Sequence, residues 1–443
     1  MYNLNNQQQE IFNKYLQGEN IFITGPGGTG KTYLIKAIVE HAKENNKAYH
    51  VCALTGCAAI LLQCGATTLH GFAGIGLASG TITQVVDRVV KNRYKKPNWA
   101  KTELLIVDEV SMLSLKIFTI IDLIAKRVKQ QRDKPFGGMQ IIFGGDFYQL
   151  PPVGDEDDIE TTQFCFESPL WNEVFPSNNQ IILETIFRQT DNNYAKILNK
   201  LRVGEITKNG INALEQCVNK KFSDELNPTI LLPKRKDVDS INTKEYNKLD
   251  KTNEKTYTMK SVDMQDLPLS KEHIQNITLF TDKEKQQEID YLADNLMAEK
   301  TLNLRIGTIV MCISNLDVEA GIINGSQGIV VDFQKDNPLV KFNDGNVRVI
   351  TPHIWQSEKL PAIAVQQLPL IYAWAITIHK AQGVTLDKAL IDIGEEIFEC
   401  GQTYVALSRI KTLEGLYLKN FDFRKIKVNK KVKQFYKTLE NQS

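Results

Sequence analysis

The sequence predicts an α/β protein: two units built on mostly parallel sheets, with a small β-barrel inserted in the second. Three observations predict it. Short apolar runs alternate with helix-spaced segments through the first half, the pattern of strands joined by covering helices. The same alternation resumes from residue 229. Between about 262 and 362 the texture changes to short strands separated by Gly- and Asn-rich turns, which is how a small barrel reads. At 443 residues the chain is too long for a single hydrophobic core.

In chain order, Ile21–Thr24, His50–Leu54, Leu104–Val107, Gln140–Phe143 and Gln180–Leu183 are apolar runs of strand length. After the first of them, Tyr33–Lys43 sets apolar residues at 34, 35, 38, 39 and 42, the spacing of a helix with one buried face. In the second unit the candidate strands are Thr229–Leu232, Gln367–Tyr372, Ala389–Ile393 and Gly415–Leu418. The insertion offers Leu304–Ile313, Gly328–Phe333, Leu339–Asn343 and Asn346–Ile350, with turns at Asn324-Gly325 and Asp344-Gly345. The expected domains are therefore 1–190, then 191–261 with 363–443, and the insertion 262–362.

Composition excludes several classes. The apolar share of 42% and charged share of 24% are those of a soluble globular protein. A net charge of +1 gives no global basic field, although a basic groove offset by acidic surface elsewhere stays open. No apolar run approaches the length of a membrane span. The opening residues, MYNLNNQQQE, lack the charged-then-apolar order of a signal peptide. Seven cysteines are scattered, odd in number and without a CxxC pair, so free buried thiols in a reducing compartment are expected and a zinc site is not. The expectation is a soluble, intracellular protein with no membrane partner.

The chemistry concentrates after the first strand. Gly25-Pro-Gly-Gly-Thr-Gly30-Lys31-Thr32 is a full match to GxxxxGK[ST], followed by a helix. Phosphates need many backbone N–H donors at close range, which a Gly-rich turn at a helix N-terminus exposes. Gly25, Gly27, Gly28, Thr29 and Gly30 would form the cradle, Lys31 would reach the β- and γ-phosphates, and Thr32 would place its hydroxyl on Mg²⁺. A second strand ends in Asp108 and Glu109, which puts one carboxylate near the metal and the other near an attacking water. Alone, such a pair is equally a solvated strand end; the phosphate loop decides between the two. Gln149, in Gly144-Gly-Asp146-Phe-Tyr-Gln149-Leu-Pro-Pro, follows a further strand and suits a γ-phosphate sensor, or else a plain turn residue. Arg188 and Arg409 complete the set. A phosphoryl-transfer transition state spreads negative charge that an arginine stabilises, but spacing alone does not separate that role from a surface ion pair.

Taken together, these residues resemble the superfamily 1 helicases of the petite-integration-frequency (Pif) type, relatives of the RecD-like enzymes. The resemblance runs from about Leu4 to about Leu418. Leu4 and Gln8 stand at the spacing of the family's Q motif, which implies adenine recognition by Gln8. Thr55-Gly-Cys-Ala-Ala59 and Thr67-Thr-Leu-His70-Gly-Phe72 look like the strand-touching motifs of the first motor domain. Ser111-Met112 and Lys134-Pro-Phe-Gly-Gly138 resemble a segment peculiar to the family. Leu183-Glu-Thr-Ile-Phe-Arg188 looks like the motif with one arginine finger, and Gly401-Gln-Thr-Tyr404-Val-Ala-Leu-Ser408-Arg409 matches the last motif, which implies that Arg409 is the second. Lys236-Asp-Val238 with Asn242, and the long stretch from Leu368 through His379, Lys380 and Thr385 to Asp387, are similar to motifs of the second motor domain.

The resemblance implies two RecA-like P-loop domains with parallel sheets and an inserted Src-homology-type β-barrel, to which Asn315-Leu-Asp317 and Gly321–Gly328 are similar. It implies ATP and Mg²⁺ as cofactors and single-stranded or forked DNA as partner. Thr55, His70, Phe72, Asn242, His379, Lys380 and Thr385 are the implied DNA contacts. The implied activity is 5′-to-3′ unwinding of duplex, forked and quadruplex DNA in replication, repair or recombination. A duplex-splitting pin is expected either within 72–100 or in the barrel. Two other classes stay open: a nucleotide-operated switch that binds without unwinding, and a non-catalytic single-strand-binding module. Within the enzyme class the rival is a RecD-like recombination subunit.

Overall fold

Ile21, Phe22 and Ile23 are all fully buried, yet they belong to two different cores. Such a strand is covered on both faces, as an apolar run without polar alternation requires. In this computed structural model, which describes residues 2–62, 64–93, 95–155, 157–222, 227–263, 281–317, 322–343, 345–357, 360 and 363–441, the strand is β1 (Ile21–Thr24) of a six-stranded sheet. The others are β2 (Tyr49–Ala53), β3 (Thr67–Thr68), β4 (Leu104–Asp108), β5 (Gln140–Gly144) and β6 (Gln180–Ile182). Their order is β3-β2-β4-β5-β1-β6, with every pairing parallel.

One face of this sheet is covered by the helices Asn6–Leu16 and Lys31–Glu44. The latter buries Leu34, Ile35, Ile38, Val39 and Ala42, the positions its periodicity predicts. The opposite face carries Phe22, Phe118, Phe143 and Trp171, and against them lies a helix from the far end of the chain, Lys430–Glu440. Asn429 caps it by accepting from the Lys431 amide, and Val432, Tyr436 and Leu439 form its buried stripe.

The chain forms two compact units. The first comprises Met1–Lys208, Phe398–Ser408 and Phe423–Ser443; the second comprises Asn209–Ile397 and Arg409–Asp422. The sequence-based division at 190, with all of 363–443 in the second domain, differs from this. The cause is the apolar stripe of Lys430–Glu440, which finds its cover on the first sheet.

The second unit holds a four-stranded parallel sheet in the order Ala375–Thr377, Thr229–Leu232, Ala389–Ile393, Leu416–Phe421. Gln367–Tyr372, expected as one of its strands, is not. Leu370–Tyr372 pairs antiparallel with Ile309–Cys312, and the parallel strand begins only at Ala375. The insertion is antiparallel throughout. Its largest sheet runs Val347–Val349, Asn337–Phe342, Gln327–Gln334, Ile309–Cys312, Leu370–Tyr372. Smaller sheets join Lys255–Thr258 to Thr301–Leu304, and His353–Gln356 to Ile363–Gln367 and Lys260–Asp263. Among the described residues no sheet closes into a barrel. The expected strand Leu304–Ile313 is two strands, broken where Thr308 turns back to donate to the Arg305 carbonyl at 3.0 Å. The tight hairpin of the large sheet turns on Lys335 and Asp336, with φ of 48° and 66°, a left-handed pair that Asn-Gly usually supplies. Gly321 and Asp344, both named in the sequence reading, lie outside the described residues. No helix among the described residues is long and apolar enough to cross a membrane.

Candidate active site

The strands β4, β5 and β1 are neighbours and parallel, so their carboxyl ends converge, and that is where ligands sit in open parallel sheets. Asp108 ends β4, Gly144 ends β5, and β1 leads through Thr24 into the loop Gly25–Gly30. The loop lies hard against the segment after β6. Gly25 and Gly28 adopt φ of 137° and 87°, and a Cβ on either would collide with the Leu183 carbonyl or the Arg188 side chain. Only glycine allows both the left-handed turn and the close approach. Phe187 donates its amide to the Gly28 carbonyl at 2.8 Å, so Arg188 is held next to the loop by main chain.

Lys31 opens the helix and folds back on the loop, donating to the carbonyls of Gly25 at 2.7 Å and Pro26 at 2.9 Å. Burial lowers its pKa, while the charges of Asp146, Glu109 and Asp108 oppose that shift. Thr32 donates its hydroxyl to Asp108 at 3.4 Å, a contact that brings the two expected metal-facing groups together. Burial, reinforced by the Glu109 charge, lifts the Asp108 carboxyl to about 7. Glu109 donates its amide to Asp108 Oδ1 at 2.9 Å and adopts a left-handed backbone, φ 57° and ψ 39°, a strain typical of residues placed for chemistry. Gln8 is buried; it closes a capping box with Asn5, and its amide lies 3.5 Å from the Gly30 carbonyl. Thr29 donates its hydroxyl to the Pro26 carbonyl at 3.0 Å.

The helix Gln402–Leu407 belongs to this unit and closes over the same loop. The Tyr404 hydroxyl accepts from the Gly27 amide at 2.9 Å. At the helix end, Tyr194 donates to the Leu407 carbonyl at 2.8 Å, Gln189 to the Ser408 carbonyl at 3.2 Å, and Arg188 to the same carbonyl at 3.5 Å. Burial lowers the Arg188 pKa, against the charges of Tyr404 and Glu109. Arg409 comes next in the chain but counts with the second unit, where it is 2% exposed and its carbonyl accepts from Leu386 at 2.9 Å. Gln149 is buried in the loop after β5, its amide donating to the Asp146 carbonyl at 2.8 Å.

The expected DNA contacts divide. In the first unit Thr55 is exposed, its hydroxyl accepting from Ala58 at 3.2 Å. His70 is half-buried, and burial lowers its pKa. Phe72 is 3% exposed, packed with tilted rings against His50 at 4.5 Å and Trp99 at 4.8 Å. It is a core residue here, and the expectation of a DNA contact at Phe72 is corrected, since an enclosed ring offers no face to a strand. In the second unit His379 is exposed, and Lys380 pairs with Glu299 at 3.7 Å. Thr385 lies against the turn at Gly325, where a Cβ would strike its carbonyl. Asn242 commits one amide N–H and one oxygen lone pair to the backbone of Ala375, so its carboxamide is oriented by that strand.

Sequence reasoning missed a buried cluster behind the loop. Arg202 donates to both oxygens of Asp146, each at 2.8 Å, and its guanidinium lies over the rings of Tyr148 and Tyr436 at 4.6 and 5.0 Å. Asp146 had a visible signal, standing just after the glycines that end β5. Arg202 and Tyr436 had none, their partners lying 56 and 290 residues away.

Comparison with known proteins matches this chain to two family models: PIF1-like helicase over residues 3–211, and the 2B domain of DNA helicase Pif1 over residues 290–333. The ATP-dependent DNA helicase PIF1 of Danio rerio is 36% identical over 449 residues. That match covers 99% of this chain and 64% of the fish protein, so the chain spans less than two thirds of that relative's length. Among solved structures, the crystal structure of Pif1 helicase from Candida albicans superposes with a TM-score of 0.73 at 33% identity, covering 99% of this chain and all of that one. Pif1 from a Bacteroides species in complex with ADP-AlF4 gives 0.79 at 29% identity, covering 100% and 98%. The Bacteroides protein bound to single-stranded DNA gives 0.65 at 30%, with the same coverage.

Proposed function

The chain belongs to the PIF1-like helicase family, and from that premise we propose that it is an ATP-dependent DNA helicase. It moves 5′-to-3′ on single-stranded DNA and separates duplex, forked or quadruplex structures ahead of it. The observation that carries this reading is the convergence of Lys31, Thr32, Asp108 and Arg188 on one glycine-rich loop.

In this reading the backbone amides of the loop take the phosphates, and Lys31 exchanges its two carbonyl partners for the β- and γ-oxygens. Gln8 reads the adenine edge. Thr32 and Asp108 would hold a Mg²⁺ ion, which would neutralise negative charge on the phosphates. Glu109 orients the attacking water, Gln149 senses the γ-phosphate, and Arg188 and Arg409 stabilise the charge that spreads during transfer. The first unit is one RecA-like motor domain. The parallel sheet of the second is the other, with the antiparallel sheets as its inserted Src-homology-type module. Thr55, His70, His379, Lys380 and Thr385 grip the strand through phosphate and sugar, which gives weak sequence preference. Loss and return of the γ-phosphate alternates the two grips, and the alternation is movement. The protein acts inside the cell in replication, repair or recombination.

The test is strand separation with ATP and Mg²⁺ on duplexes carrying a 5′ or a 3′ single-stranded tail, with Glu109→Gln as control. Opening only of the 5′-tailed duplex, lost in the variant, supports motor and polarity together. Opening only from the 3′ tail overturns the polarity, and hydrolysis without opening of either overturns the helicase.

A further inference from the structure

The Tyr436 ring would fill its place in the core equally well as phenylalanine. It stacks on Tyr148 at 4.6 Å with 15° between planes and meets Phe435 at 5.5 Å. What phenylalanine lacks is the hydroxyl, and in a fully enclosed position that hydroxyl makes three hydrogen bonds. It donates to Asp146 Oδ1 at 3.1 Å, accepts from the Phe147 amide at 3.1 Å, and lies 2.5 Å from Thr24 Oγ1. Its single proton goes to the carboxylate, so Thr24 is the donor in the last of these. Burial and the Asp146 charge hold the phenol well above its usual pKa, so it keeps that proton throughout the working range.

The partners are not scattered core atoms. Thr24 is the last residue before Gly25 of the phosphate loop. Asp146 and Phe147 begin the short loop that carries Gln149, whose own amide returns to the Asp146 carbonyl. Asp146 is also foremost among the carboxylates that sustain the charge of Lys31. We propose that Tyr436 is a positioning residue for ATP hydrolysis, its hydroxyl tying the end of the strand that feeds the phosphate loop to the loop that carries Gln149. Lys430–Glu440 is thereby a working part of the ATP site, although none of its residues is in the phosphate loop. Arg202 completes the tie. It neutralises Asp146 and lies against both tyrosine rings of the stacked pair, so the carboxylate faces the hydroxyl in one fixed orientation.

The inference rests on the ATPase reading above, and its test separates the two. In the full chain, Tyr436→Phe keeps the ring and removes the tie, whereas Leu439→Ala, one turn on in the same buried stripe, loosens the helix and leaves the hydroxyl in place. DNA-stimulated ATP hydrolysis, thermal unfolding and amide exchange are measured on each. For Tyr436→Phe the expected result is a fall in kcat of about tenfold, with KM for ATP within about threefold, and faster exchange at Phe147. Leu439→Ala is expected to lower the unfolding midpoint and keep kcat within about twofold. A Tyr436→Phe protein with unchanged kcat overturns the inference and leaves the ATPase reading standing. So does a Leu439→Ala protein that loses as much kcat as Tyr436→Phe, because packing alone then explains both. A wild-type protein that hydrolyses no ATP overturns both together.

Discussion

Asn242 and Ala375 exchange two hydrogen bonds, the side-chain amide donating to the backbone carbonyl and the backbone amide to the side-chain oxygen, each at 2.9 Å. A carboxamide closed on main chain in this way mimics one rung of a sheet ladder. It fastens the helix Arg235–Asn247 to the strand Ala375–Thr377, a few residues ahead of His379 and Lys380. Removing it strands a backbone pair, at a cost of about 1–3 kcal/mol. Asn242→Ala is therefore expected to lower the urea midpoint and change single-strand affinity by less than about threefold. Fluorescence anisotropy on a labelled oligonucleotide checks the second part; a drop of tenfold or more (about 1.4 kcal/mol) with the urea midpoint intact makes Asn242 a true DNA contact.

Arg188 is anchored beside the phosphate loop by the Phe187–Gly28 backbone bond, which fixes the main chain from which its guanidinium projects. An arginine that stabilises a phosphoryl-transfer transition state is worth about 10³-fold or more in turnover. Arg188→Ala is expected to lose about that much ATP hydrolysis, with nucleotide affinity changed far less. Lysine at the same place should restore little, being a point charge without the planar fork. Steady-state ATPase and fluorescent-nucleotide titration read the two quantities; a loss confined to affinity rules the finger role out.

Asp146 is wholly buried, and Arg202 nearly so. Breaking such a pair from one side leaves an uncompensated charge in the core, which costs about 3–5 kcal/mol. Asp146→Asn and Arg202→Met should each destabilise the protein on that scale in urea unfolding. The double variant should recover a good part of the loss. Simple additivity of the two single effects would show that the pair is not coupled.

Leu77 is 92% exposed, the most solvent-facing large apolar side chain described in the chain. It stands in the loop after Phe72, within the stretch where a duplex-splitting pin is expected. Leu77→Asp is expected to cut strand separation by about tenfold and spare DNA-stimulated ATP hydrolysis. Equal loss of both activities would place Leu77 elsewhere in the cycle, and no loss of either would move the pin to the insertion.

Cys52, Cys165, Cys217 and Cys312 are buried, while Cys57, Cys64 and Cys400 are partly open. Burial pushes the Cys52 and Cys312 thiols up to about 12 and the Cys165 thiol well above its usual value, so little nucleophilic thiolate forms at neutral pH. Native protein treated briefly with iodoacetamide should gain no more than three labels by mass, and the remaining thiols should react only after unfolding. Rapid labelling of Cys165 would contradict the packing around it.

What the sequence made legible was local. Ile21–Thr24, the phosphate loop and the helix after it are consecutive, and their periodicity and glycines predict both the fold and the site at once. The division of Gln367–Tyr372 was hidden because apolar runs of similar length suit a parallel or an antiparallel partner, and only the partner decides. The hairpin at Lys335 and Asp336 carries no glycine to announce it. The expected division at 190 failed to anticipate that an amphipathic helix beginning at Lys430 covers a strand beginning at Ile21. Phe72 was expected at DNA because the segment Thr67–Phe72 resembles a strand-touching motif, and nothing in that segment shows that its neighbours in space are His50 and Trp99.

The helix Lys430–Glu440 also decides when the first unit can be completed during synthesis. Residues 1–208 of the first unit precede the second unit in the chain, yet the second face of the first sheet is covered by Val432, Tyr436 and Leu439, which follow it. Until they emerge, Phe22, Phe143 and Trp171 lack that cover while the whole of the second unit is being synthesised. The nascent first sheet is thus an apolar surface that must be shielded while the second unit is synthesised. A stop codon anywhere before residue 430 leaves that surface permanently bare, and the expected fate of such a fragment is aggregation or capture by chaperones.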